Sequence, residues 1–160
     1  MIELKRFRKD FPALMLDEPV AYLDNACVTL KPQSVIDSIQ DYYINTPGCG
    51  GRSVHRYGTH VSKTISQSRK KLSNFLSSPS VNEIVFTRNA THSLNQIAKG
   101  LDWNKGDVVL TTDREHNSNL VPWLQLEQEQ GIDHRIVRSN QDNTFSLESF
   151  EKACADAGSK

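Results

Sequence analysis

Residues 107–138 read DVVLTTDREHNSNLVPWLQLEQEQGIDHRIVR, and the succession of textures in this stretch decides the fold. After Asp107 come two valines, a leucine and two threonines, which predict a strand over 107–112. A polar loop follows. A helix is predicted over 118–130, with Pro122 in its first turn, where a missing N–H leaves no hydrogen bond unmade. Residues 133–138, with Ile136-Val137 among them, predict another strand. A strand that returns through a helix to a second strand is the parallel crossover unit.

The same alternation extends outward. Upstream, EIVFT at 83–87 predicts a strand, and 91–101 a helix with Leu94, Ile97, Ala98 and Leu101 inward and Gly100 near its end. Downstream, Asp142-Asn143 predicts a turn, and Ser146 with Ser149 forms an imperfect capping box that starts a further helix. Three strands separated by helices predict a parallel α/β sheet. Before it, Val61, Ile65, Leu72, Phe75 and Leu76 mark the buried stripe of a helix over about 59–77. Pro32 opens another helix, carried by Val35, Ile36, Ile39, Tyr42 and Tyr43 and stopped at Pro47-Gly48. Residues 21–24 read as a very short strand, and 1–20 as a polar arm with Phe7, Phe11, Leu14 and Leu16 as anchors.

Composition sets the outer bounds. The 160 residues are near the roughly 150 expected of one domain. Lys plus Arg and Asp plus Glu are 19 each, so the formal net charge is zero, which offers no electrostatic footprint for nucleic acid. No apolar run approaches the roughly 18 residues of a membrane span, and the charged N-terminus lacks the apolar core of a secretory signal. Three widely spaced cysteines, Cys27, Cys49 and Cys154, are not a disulfide framework and fit a reducing, cytoplasmic setting. The sequence ends at 153–160 while a helix is running, which predicts the N-terminal part of a longer protein.

In parallel α/β sheets ligands sit outside the carboxyl ends of the strands, and two loops hold that position. Thr87-Arg88-Asn89-Ala90-Thr91-His92-Ser93 offers hydroxyls and a helix N-terminus, which suit a phosphate, or simply an N-cap by Asn89 or Thr91. It has neither the Walker spacing nor any glycine of a dinucleotide fingerprint. Asp113 to Asn119 holds His116, a candidate for stacking on a planar ligand or for proton transfer, or an ordinary loop histidine; its flanks Glu115 and Asn119 offer hydrogen bonds to fix its ring. Between the first two helices, residues 48–60 gather Cys49, Arg52, His55, Arg56 and His60 among glycines. The arginines suit a carboxylate or phosphate, or face water. No CxxC pair accompanies Cys49, His55 and His60, and no metal is expected.

Taken in order, these segments resemble the N-terminal part of a class V aminotransferase-fold protein of the cysteine desulfurase type. Tyr22-Leu23-Asp24-Asn25-Ala26 is similar to the family's early LDxAA segment. Ser53 to His60 is similar to its VHRGxHxLS segment, Glu83 to Thr91 to EIVFTxGxTE, and Glu115 to Trp123 to EHHxNIVPW. Asn117 stands in place of the second histidine of the last motif, His92 in place of an acidic residue, and Asn89 in place of a common glycine. The resemblance runs from about Tyr22 to Phe150.

The resemblance implies a pyridoxal-phosphate fold: part of a fold type I large domain over 21–160, with parallel strands alternating with helices. It implies that Ala90 and Thr91 hold the cofactor phosphate, that His116 stacks on the ring and serves as the catalytic histidine, and that Asn119 is a further cofactor-binding residue supporting that site. It places Asn25, Ala26, His55 and Arg56 near the substrate or the partner subunit of a homodimer. The implied reaction removes sulfur from L-cysteine, giving alanine and an enzyme persulfide that passes sulfur to an acceptor protein. Another class V reaction on a small amino acid, by a lyase or transaminase, and a non-catalytic remnant are the alternatives. The family's Schiff-base lysine and persulfide cysteine lie beyond residue 160, and none of Lys99, Lys105, Lys152, Cys27, Cys49 or Cys154 matches them.

Overall fold

The structure, a computed structural model, describes residues 4–18 and 21–158. The chain forms two compact units, one up to Ile84 and the other from Val85.

The first unit is helical. Helix α1 (Leu4–Arg8) and one 3-10 turn at Pro12–Leu14 occupy the arm. Phe11 and Leu14 are half-buried, whereas Phe7 and Leu16 are exposed and anchor nothing. The strand expected over 21–24 is absent. Instead the chain turns, with the Cys27 and Val28 amides both donating to Asp24 O at 3.1 and 3.0 Å. A strand exists only through its ladder, and residues 21–24 have no pairing neighbour among the described residues. Helix α2 (Gln33–Asn45) starts just after Pro32, which sits in extended conformation at the N-cap position.

Helix α3 (Arg56–Phe75) begins three residues earlier than the expected 59 because of a cap that composition does not announce. His55 supplies it: its Nδ1 accepts from Gly58 N at 3.3 Å. The loop before α3 folds back on this first turn, and glycine lets it approach. A Cβ on Gly58 would lie 2.5 Å from Ser53 Cβ and 2.7 Å from Ser53 O. Gly58→Ala is therefore expected to push the 48–53 loop off the helix start. The expected cost is about 1–3 kcal/mol, the range of overpacked sites, read as a lowered urea midpoint at unchanged slope. The apolar stripe of α3 has the expected spacing but not the expected burial: Ile65, Leu72, Phe75 and Leu76 are all exposed. Periodicity selects a face; burial needs something packed over it.

The second unit holds the crossover. Strand β1 (Val108–Thr112) and strand β2 (Asp133–Val137) pair in parallel, with Val108 opposite Asp133 and Thr112 opposite Val137. Helix α5 (Val121–Gln130) connects them, with Pro122 in its first turn as expected, and Gly131 closes it in the left-handed region at φ +73°. Helix α4 (Ala90–Gly100) precedes the pair and α6 (Leu147–Ala157) follows it. Ser146 caps α6, its hydroxyl accepting from Ser149 N at 3.1 Å.

The third expected strand, 83–87, does not form. Val81–Glu83 is a 3-10 turn, and the extended residues beyond it pair with no strand among the described residues, leaving Val85 68% exposed. Its alternating pattern is a propensity for a pleated surface, which needs a neighbour before it becomes a strand. The core of this unit is Ala98, Trp123, Leu126 and Ile132, with Trp103 and Val109 packed against it. Of the inward positions expected on α4, Ala98 is buried, while Ile97 and Leu101 are about half exposed.

Candidate functional site

Two features of the second unit hold the candidate residues. The first is the start of α4. Asn89 is its N-cap: the extended backbone turns its Oδ1 to accept from His92 N at 2.9 Å, and its carbonyl accepts from Ser93 N at 3.1 Å. Thr87 and Ser93 hydroxyls lie 2.7 Å apart and brace the turn. The plain capping role anticipated for Asn89 is therefore real. Its side chain satisfies one of the four orphan donors of the helix start, the His92 N–H, while Ser93 N makes the first intrahelical bond. The N–H groups of Ala90 and Thr91 have no acceptor among the described residues, and no acidic side chain stands in the first turn. Both residues are exposed. Two free N–H groups, a helix dipole and the Thr91 hydroxyl suit a dianionic phosphate.

The second feature is the loop after β1. Residues 117–119 form a 3-10 turn capped by His116. The His116 ring is held from one side: Nδ1 accepts from Ser118 N at 3.1 Å and lies 2.9 Å from Ser118 Oγ. A backbone N–H can only donate, so the neutral ring carries its proton on Nε2. The ring is otherwise exposed. Sequence reasoning expected Glu115 and Asn119 to fix this ring. They do not touch it; they bond to each other, Asn119 Nδ2 donating to Glu115 Oε2 at 2.8 Å. Ser118, the residue that does hold the ring, was not singled out, and a serine two positions after a histidine carries no signal until a turn brings them together.

Glu115 also accepts from Thr112 Oγ1 at 2.7 Å and Thr112 N at 3.3 Å, so both carboxylate oxygens are engaged. The Thr112 hydroxyl and the Asn119 amide hold its carboxyl below the usual carboxylate range, against a smaller opposing effect of burial. Asp113, next to it, is lowered chiefly by the Ser139 hydroxyl, which donates to its Oδ1 at 2.5 Å and ties this loop to the exit of β2. Helix α4 packs against the 117–119 turn, so Ala90, Thr91 and His116 lie on two elements of one unit that touch.

The other candidates lie in the first unit. Asn25 and Ala26 are exposed in the turn after Asp24. Arg56 is exposed at the start of α3, and His55 is occupied there as its cap, its ring edge-on to Tyr57 at 6.3 Å. The three cysteines are free and exposed. No helix among the described residues is long and apolar enough to cross a membrane.

Comparison with known proteins places these features in context. The pattern of the Aminotransferase class-V family matches residues 21–158. A probable cysteine desulfurase of Synechocystis sp. is 35% identical over 150 residues, covering 90% of this chain and 36% of that protein. The apo structure of a cysteine desulfurase from Thermococcus onnurineus NA1 superposes with a TM-score of 0.84 at 32% identity, over 95% of this chain and 38% of that one. A variant of C-DES, with glycine covalently linked to its PLP cofactor, shares the fold at a TM-score of 0.75 and 23% identity, over 91% of this chain and 37% of that one. The chain thus spans between about a quarter and two fifths of the length of the curated relatives it matches.

Proposed function

The chain belongs to the class-V aminotransferase family, and from that premise we propose that it forms the phosphate-holding and ring-stacking part of a pyridoxal-phosphate-dependent cysteine desulfurase. What supports this reading is the pair of N–H groups at Ala90 and Thr91 without an acceptor among the described residues, at the start of a helix that packs against the 117–119 turn capped by His116. The residues fit the cofactor. Free N–H groups at Ala90 and Thr91, with the Thr91 hydroxyl, bind its phosphate, and the exposed His116 ring covers its planar face. Pyridoxal phosphate, when bound, supplies the electron sink for chemistry at the amino acid. His116 orients the ring and, through Nε2, holds or passes a proton, because its Nδ1 is committed to Ser118. The proposed substrate is L-cysteine. A homodimer, a sulfur-acceptor protein and a cytoplasmic setting belong to the same proposal, as do Asn25, Ala26, His55 and Arg56 as substrate or subunit contacts.

The test compares pyridoxal phosphate with pyridoxal, which lacks the phosphate. Followed by backbone and ring NMR of the chain, the phosphorylated form should shift the Ala90 and Thr91 amides and the His116 ring. Pyridoxal should bind at least about tenfold more weakly, the scale of losing charge-assisted hydrogen bonds. Equal responses to the two compounds, or shifts that avoid these residues, would overturn the assignment.

A further inference from the structure

Asn119 and Glu115 are engaged in a way that a cofactor ligand would not need. Starting from the core, Trp123 is 8% exposed, and its Nε1 donates to Asn119 Oδ1 at 3.1 Å. Asn119 Nδ2 donates to Glu115 Oε2 at 2.8 Å, and Glu115 Oε1 accepts from the Thr112 hydroxyl at 2.7 Å, at the last residue of β1. The polarity of this chain is fixed at both ends: an indole N–H only donates and an ionised carboxylate only accepts. The Asn119 amide therefore has one orientation. Trp123 also meets Trp103 edge-on at 6.0 Å, and Trp103 Nε1 donates to Ala98 O of α4 at 2.7 Å. The bonded residues 115 and 119 flank the segment that presents His116.

We propose that Glu115 and Asn119 are positioning residues, a directional hydrogen-bond clasp that closes the His116 turn and ties it to β1 on one side and to the Trp123 core on the other. Within the function proposed above, this assigns Asn119 to the support of His116 and not to contact with the cofactor. The clasp itself is a property of the chain whether or not that function holds.

Its polarity makes it testable by inversion. Glu115→Gln keeps the shape but has one acceptor oxygen where two are used; the Thr112 N–H and hydroxyl hold that oxygen on their side, so its amide N–H turns toward the Asn119 N–H and two donors oppose each other. If the Asn119 amide flips to meet it, the Trp123 indole loses its acceptor. Adding Asn119→Asp restores every bond with the charge moved one residue along: the new amide at 115 donates to the new carboxylate at 119, which still accepts from Trp123. The readout is hydrogen exchange of the two indole N–H signals, with Trp103 as the internal reference, in the chain without ligand. Glu115→Gln should accelerate exchange at Trp123 by about tenfold or more and shift the His116 ring signals, while the double variant should return both to near the wild-type values. If Glu115→Gln leaves Trp123 unchanged, or the double variant is no better than the single, the clasp is overturned. Loss of Trp103 protection in the single variant with recovery in the double supports it, and loss in both overturns it. Pyridoxal phosphate added afterwards separates the two readings. With the clasp broken it should still shift Ala90 and Thr91 but no longer the His116 ring, whereas indifference of the wild type to the cofactor would remove the functional reading and leave the indole result standing.

Discussion

Trp123→Ala is expected to unfold the second unit. The side chain is the largest in a core whose other buried members are Ala98, Leu126 and Ile132, and it is the surface on which Trp103 rests. Removing a buried tryptophan costs about 3–5 kcal/mol through lost transfer energy and the cavity left behind. Small domains have little stability to spare, with totals of about 5–15 kcal/mol. The substitution also strands the Asn119 carbonyl that accepts its N–H. Far-ultraviolet circular dichroism against urea should show the loss. Trp123→Phe, which keeps most of the ring but not the donor, should fall between the two. A midpoint for Trp123→Ala within about 1 kcal/mol of wild type would mean that the core lies elsewhere.

His116→Ala is the second large effect, expected on the function proposed above. It removes the ring that faces outward from the turn while leaving Ala90, Thr91 and their cap at Asn89 untouched. The cofactor should still bind, with an altered visible spectrum, and turnover should fall by about 10²-fold or more, the scale of a lost general acid–base group. His116→Phe keeps a stacking face without a proton, so the spectrum should recover further than the rate. Unchanged spectrum and turnover in His116→Ala would make it an ordinary loop histidine.

What could be read in advance divides along the range of the forces involved. The crossover from 107 to 138 was legible element by element because its signals are local, a valine-rich run and Pro122 tolerated in a first turn, although the helix expected from 118 begins at Val121 after the 117–119 turn. The motif around His116 and the cap at Asn89 were legible for the same reason. The segments 21–24 and 83–87 carry equally good strand patterns, yet neither forms a strand, because a ladder depends on a neighbour that no local pattern supplies. The exposed apolar stripe of α3 repeats the point for helices. At the site, residue identities were legible and bonding was not. Glu115 and Asn119 were placed against His116 by proximity, whereas the 3-10 turn directs them to each other and hands the ring to Ser118.

The parallel register has a kinetic consequence. Partners are 25 positions apart at every rung, from 108 with 133 to 112 with 137. The first rung must therefore close the whole intervening loop, and the remaining rungs add no loop to close. Helix α5 eases that closure: ten residues rise about 15 Å, close to the roughly 16 Å of a five-residue strand, so the helix carries the chain back to the start of its partner. The ladder should therefore zip in one cooperative step gated by α5, and substitutions that weaken this helix should slow refolding more than they speed unfolding.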